Sequence, residues 1–219
     1  MENPSGFGEF FLDGDYVGWD EAVKAYYLNE MSEEEKAERG MQEYFDVLGF
    51  SEKFTRDMGP MAPYECPTEF AVKHNRVKSF GSLIKLSDRL LAVDEALRDL
   101  IEELEPGVHQ FWPIKITLPK GDPYPEQYFG LRIGQFLDSF RPGESDDGAW
   151  RERNGWYRVQ FPKKQYYAGL ALSRQAIAAS HLWREKILQR PGIFFSDTLQ
   201  SEIKKAGLRV PKLSKLKDV

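Results

Sequence analysis

Between Asp94 and Leu118 the hydrophobic period of the chain changes, and that change limits the fold classes open to it. Leu97, Leu100, Ile101 and Leu104 form one apolar stripe at helical spacing, with Glu95, Arg98, Asp99, Glu102 and Glu103 off it. Asp94 is placed to cap this helix, and Glu105-Pro106-Gly107 stops it. Trp112, Ile114, Ile116 and Leu118 then alternate with Lys115 and Thr117, the period of a half-buried strand. Pro113 has no N–H to donate, so it puts the start of that strand at an edge or a bulge. A helix feeding a one-sided strand predicts an α+β fold, an antiparallel or mixed sheet packed by helices.

The remaining pattern divides the chain in two. The first thirty residues, rich in Gly, Asp and aromatics, read as loop and short strand. Ser32 and Glu35 form a capping box, Glu33, Glu34 and Glu35 suit the positive end of a helix, and Met41, Tyr44, Phe45 and Leu48 share one helical face up to Gly49. Residues 57–68 carry three prolines and read as a linker. The expected organisation is an acidic, more helical region over 1–68 followed by an α+β domain over 69–219. In the second part, strands are expected over Tyr128–Leu137, Trp156–Phe161 and Ile193–Phe195, with a polar surface excursion over 141–155. Ser173 is expected to cap a helix running to Glu185 that carries Ile177, His181 and Leu182 on one side. Ser196 is expected to cap another with Leu199, Ile203 and Ala206 inward, and the basic tail from Lys212 to fray. Leu86-Ser87-Asp88-Arg89-Leu90 echoes Phe195-Ser196-Asp197-Thr198-Leu199, as a chance pair of caps or a true repeat would.

Charge is uneven. Residues 1–58 hold 15 acidic and 5 basic side chains, the other 161 residues 20 and 25. Phosphate repels such an N-terminal quarter, which excludes it as a nucleic-acid surface. It suits a basic protein partner or a plain solvated face. Glu33, Glu34, Glu35, Asp146 and Asp147 are the candidate contacts. Adjacent aromatics in strands point to opposite faces, so Phe111-Trp112, Trp156-Tyr157 and Tyr166-Tyr167 should each send one ring away from the core, either to a partner or under a helix layer. No window reaches the roughly 18 apolar residues of a membrane span, and the acidic N-terminus lacks the apolar segment of a signal peptide. Cys66 is the single cysteine, so no intramolecular disulfide can form. A cytoplasmic protein is expected.

Catalytic chemistry finds little to work with. His74, His109 and His181 are far apart in the sequence, and one cysteine cannot complete a zinc site of Cys and His. No G-x-S-x-G elbow and no Walker loop is present, and Phe11 spoils the dinucleotide-like start Gly6-Phe7-Gly8. Asp13, Asp15, Asp20, Glu102, Glu103, Glu105, Asp146 and Asp147 sit on predicted helix surfaces and loops and read as solvated. No catalytic residue, metal or cofactor is expected. An enzyme or small-ligand binder would have to be assembled from scattered residues, with His109 and His181 the first suspects.

The segments EPGVHQFWPIKI, YFGLRIGQFLDSF, ALSRQAIAASHLWREK and PGIFFSDTLQSEIKKAGL, between Ser82 and Leu208, resemble bacterial immunity proteins of immunity family eleven. The pieces that carry the likeness are Gly107 to Pro113, His181 to Arg184 and Phe195-Ser196-Asp197, hydrophobic and capping motifs rather than catalytic ones. The resemblance implies a non-enzyme that binds a cognate toxin and neutralises it. An adaptor that escorts an effector without inhibiting it is the further alternative.

Overall fold

The computed structural model describes residues 2–4, 7–74, 79–160, 169–189 and 192–219. Along them run fifteen strands and six α-helices. The strands are β1 (Glu2–Pro4), β2 (Gly14–Tyr16), β3 (Glu69–Val72), β4 (Leu83–Lys85), β5 (Leu91–Asp94), β6 (Gln110–Thr117), β7 (Tyr128–Arg132), β8 (Phe136–Leu137), β9 (Trp150–Arg153), β10 (Trp156–Val159), β11 (Ala171–Leu172), β12 (Leu182–Glu185), β13 (Ile193–Phe195), β14 (Leu213–Lys215) and β15 (Lys217–Asp218). The helices are α1 (Trp19–Asn29), α2 (Glu33–Glu38), α3 (Val47–Ser51), α4 (Glu95–Leu104), α5 (Arg174–Ile177) and α6 (Asp197–Lys205). The class is α+β with a mixed sheet, as the change of period predicts.

The chain forms two compact units and passes between them four times: residues 1–8, 96–109 and 133–219 make one, residues 9–95 and 110–132 the other. The proline-rich segment 57–68 lies inside the second.

The second unit holds a six-stranded sheet in the order β2-β3-β6-β7-β5-β4, with only β3 and β6 parallel. In β6 the side chains of Trp112, Ile114 and Ile116 are buried, while Pro113 and Lys115 face solvent. β3 joins β6 only from Lys115 onward, so Pro113 sits where that edge has no strand neighbour and its missing N–H costs no ladder bond. A Cβ on Gly130 of β7 would lie 2.4 Å from the Trp112 ring, so only glycine lets the indole cross that strand. The core beneath is aromatic, built by Trp19, Phe50, Phe54, Phe70 and Tyr128 with Val23, Met41 and Ile114.

The helical region of this unit departs from the expected one. Trp19–Asn29 is helical, its N-cap a left-handed Gly18 (φ 71°) instead of a hydroxyl or carboxylate residue. Ser32 does accept the Glu35 N–H, at 3.1 Å, but the helix ends at Arg39 and Gly40 turns left-handed (φ 67°). Met41 is buried, Tyr44 and Leu48 are exposed, and Gly49 lies inside α3. Ser87–Arg89 is a 3-10 turn with left-handed Asp88 and Arg89, not a second copy of the Ser196 cap.

The first unit holds a five-stranded sheet in the order β14-β1-β13-β12-β8. α4 runs as expected, burying Leu97 and Ile101, and Gly107 (φ 68°) ends it. Ser173 caps only one turn; Ala178 turns left-handed and Leu182–Glu185 is a strand, so His181 and Leu182 share no helix face. All four residues of β12 are buried. Within 141–155, β9 pairs with β10 across Asn154-Gly155, both at positive φ. Ser196 caps α6, accepting the Leu199 N–H at 3.0 Å, with Leu199 and Ile203 inward but Ala206 exposed. The tail is not frayed: β14 pairs with β1, β15 pairs with β11, and Leu216 is buried. Tyr166-Tyr167 and Phe161 fall outside the described residues.

Candidate functional site

The histidines are the natural first suspects for chemistry. His109 lies one turn beyond Glu105, and its Nε2 is 2.8 Å from Glu105 Oε2. The same carboxylate accepts Gln135 Nε2 at 2.5 Å, the His181 N–H at 2.7 Å and the Leu182 N–H at 2.9 Å. The Gly134 N–H donates to His109 Nδ1 at 3.2 Å. A backbone amide can only donate, so Nδ1 accepts and the ring's proton is on Nε2. Burial raises the Glu105 carboxyl, but the donors from His109, His181 and Gln135 outweigh it and hold it below the ordinary carboxylate value. Both oxygens and both ring nitrogens are therefore committed. This cluster ties the end of α4 to the start of β12; it is a lock, and no lone pair is left to take a substrate proton. Glu105 is not the solvated carboxylate that its place after a helix suggests.

His181 is held as well. Ser196 Oγ, which accepts the Leu199 N–H, also hydrogen-bonds with His181 Nδ1, at 2.8 Å. His74 is exposed just after β3. Cys66 helps to line an apolar groove of about 520 Å³ together with Met61, Trp112 and Pro113. Burial, and then the Glu65 charge, push its thiol up to about 12, so it stays protonated and is a poor nucleophile. Among the described residues no group of three or more His, Cys, Asp or Glu could hold a metal ion.

In the second unit another buried carboxylate rearranges the charge. Glu65 is fully buried in the turn Pro63–Glu65. It accepts Lys53 Nζ at 2.5 Å, Arg39 Nη2 at 2.9 Å and the Ala62 N–H at 2.8 Å. Arg39 also lies 3.0 Å from Glu35 and over the Phe50 ring at 5.0 Å. Lys36 lies 2.7 Å from Glu33. Two of the five cations of the N-terminal quarter, Arg39 and Lys53, are thus turned onto one buried carboxylate, which leaves the outer face more acidic than composition alone implies, while Lys36 pairs at the surface with Glu33. Nothing in the sequence marks Glu65 as the anchor, because its partners come from 12 and 26 positions away.

The candidate contacts fall in both units. Glu33 and Glu34 are exposed on the first turn of α2; Glu35 is half-buried, held by Arg39 and by the Tyr26 hydroxyl at 2.7 Å. Asp146 and Asp147 are exposed in the other unit, after the turn Pro142–Glu144. The outward-aromatic expectation is met at Trp156, 44% exposed beside a half-buried Tyr157. Among the described residues no helix is long and apolar enough to cross a membrane.

No curated protein matches the chain. The model of the immunity protein family Imm11 matches residues 25–218. The match reaches far beyond the segments that carry the sequence resemblance and takes in α2 and the C-terminal part of α1. Its span covers the capping serines, the Glu105 lock and the Glu65 anchor alike, and the chain therefore belongs to the Imm11 immunity protein family.

Proposed function

We propose that this chain is a cytoplasmic immunity protein that binds a cognate toxin domain, one delivered between cells as in type VI secretion, and neutralises it stoichiometrically. The observation that carries this reading, beside family membership, is the inward turning of Arg39 and Lys53 onto Glu65 while Glu33 and Glu34 stay in solvent. A face of that sign draws a basic partner through long-range attraction and repels nucleic acid. Asp146 and Asp147 give a second acidic contact. The locked state of His109 speaks against an enzyme built on it.

Co-expression with the neighbouring toxin gene tests the reading: survival supports it, and death of cells making the intact chain overturns it and leaves an adaptor. The double variant Glu33→Lys/Glu34→Lys should associate about tenfold more slowly at low salt, with a flatter salt dependence. It is a cleaner probe than a change at Glu35, which would also disturb Arg39 and Tyr26.

A further inference from the structure

The register of β9 against β10 sorts the side chains of that ribbon onto two faces. On the inner one Val159 opposes Trp150 and Tyr157 opposes Glu152. Its rings are seated: Phe140 meets Tyr157 at 5.3 Å and Trp150 at 6.1 Å between centroids, both edge-on. The Tyr157 N–H donates to the Ile187 carbonyl at 3.1 Å and the Tyr157 carbonyl accepts the Gln189 N–H at 2.8 Å, which holds the other edge of β10. The outer face then carries Trp156 opposite Arg153 and Arg158 opposite Arg151, and all four are exposed. Opposed Cβ atoms lie about 5 Å apart and successive ones on a face about 7 Å apart, so three guanidiniums and an indole share one small quadrilateral.

This face works against the stability of the ribbon. Like charges directly opposite one another repel, and Arg151 and Arg158 are such a pair. Among the described residues none of the three arginines has an ion-pair partner. Glu152 belongs to the inner row, and Asp146 and Asp147 stand in the turn before the ribbon, closed by the Ala149 N–H on the Asp146 carbonyl at 3.1 Å. The surplus extends beyond the ribbon: the first unit holds 17 basic and 14 acidic side chains, the second 13 and 21. Small ligands are enclosed in clefts, so exposed side chains on an outward face call for a macromolecule. A nucleic acid is charged along its whole length and meets repulsion from a chain of net charge −5; a patch of carboxylates on a protein is local. Arg takes a carboxylate through two parallel hydrogen bonds, and Arg and Trp are the residues that dominate protein interfaces.

We propose that the outer face of the β9–β10 ribbon is a further docking surface for the toxin domain, and that its occupant is a patch of Asp and Glu side chains beside an apolar one, the carboxylates taken by Arg151, Arg153 and Arg158 and the apolar side chain by the Trp156 ring. This inference rests on the immunity reading above and adds a contact opposite in sign to Glu33 and Glu34: the toxin is cationic on one surface and anionic on another.

The test is titration of the purified full chain with the toxin domain encoded beside it. Arg153→Glu/Arg158→Glu should weaken binding about 100-fold and Trp156→Ala about tenfold. Arg151→Glu converts the opposed arginines into a pair of opposite charge, so its melting temperature should hold or rise while binding falls about tenfold. A fluorescent single-stranded oligonucleotide of about 20 residues, titrated at the same salt, should bind the parent no better than the variants. If the parent protects and binds while all three variants bind within about threefold of it, the ribbon is wrong and the immunity reading stands. Variants that keep their toxin affinity and lose affinity for the oligonucleotide also overturn the proposal, and make nucleic acid the occupant. If the parent neither binds nor protects, both readings fall.

Discussion

His109 Nε2 points at Glu105 Oε2 from 2.8 Å, and the Gly134 amide closes the ring's other nitrogen. His109→Ala leaves a buried carboxylate short of one donor and Gly134 without an acceptor. It should cost about 3 kcal/mol in urea unfolding.

The pH dependence of that lock has a definite sign. Glu105 ionises more easily in the folded chain than its ordinary value of 4.5, so its stabilisation is complete above that value and is lost as pH falls through the depressed one. Glu105→Gln should unfold more easily at neutral pH and show a flatter acid limb than the parent; superimposable acid limbs would refute this.

Glu185 behaves the opposite way. Burial raises its carboxyl above the ordinary value, against hydrogen bonds from the Ser139 hydroxyl and amide. Its favourable state is the protonated one, present below 4.5 and lost as pH rises through the raised value. Glu185→Gln should therefore gain stability relative to the parent between mildly acidic and neutral pH, read from melting temperatures across that range.

Two glycines separate crowding from backbone strain. A Cβ on Gly134 would lie 1.9 Å from the Val108 carbonyl oxygen, which is backbone and has no rotamer to yield. Gly134→Ala should cost about 3 kcal/mol or prevent folding. Gly121 has φ +88° with open space around it, and Gly121→Ala should cost only about 1 kcal/mol.

Ser196→Ala removes the cap of α6 and the partner of His181 Nδ1 together. The two losses sum to about 2 kcal/mol by chemical denaturation. Ser32→Ala, which loses a cap alone, should cost about 1 kcal/mol.

These residues also show what a sequence can disclose. The stripe of α4, the alternation of β6 and the caps at Ser32 and Ser196 are local, and each follows from spacing and turn chemistry. The stretch after Ser173 misleads because Ile177, His181 and Leu182 imitate a helical face, while long-range pairing puts β12 between β8 and β13, buried throughout. Tertiary packing there overrides a weak local preference. The hairpin of β9 and β10 was announced by Asn154-Gly155, the strongest short signal for such a turn, inside a segment that reads as polar loop. Glu105 and Glu65 were beyond reach: a carboxylate is solvated or buried according to donors that chain folding brings from afar, and neither composition nor period records them.

The edge-to-edge order β14-β1-β13 has a temporal meaning. Residues 2–4 are made before the rest of their sheet, yet both of their neighbours, β13 and β14, are its last two strands in chain order. The nascent chain must keep this strand unpaired until those two strands follow, so the sheet closes only after its last strand is made. A chain cut short before β13 would consequently leave this strand with neither neighbour.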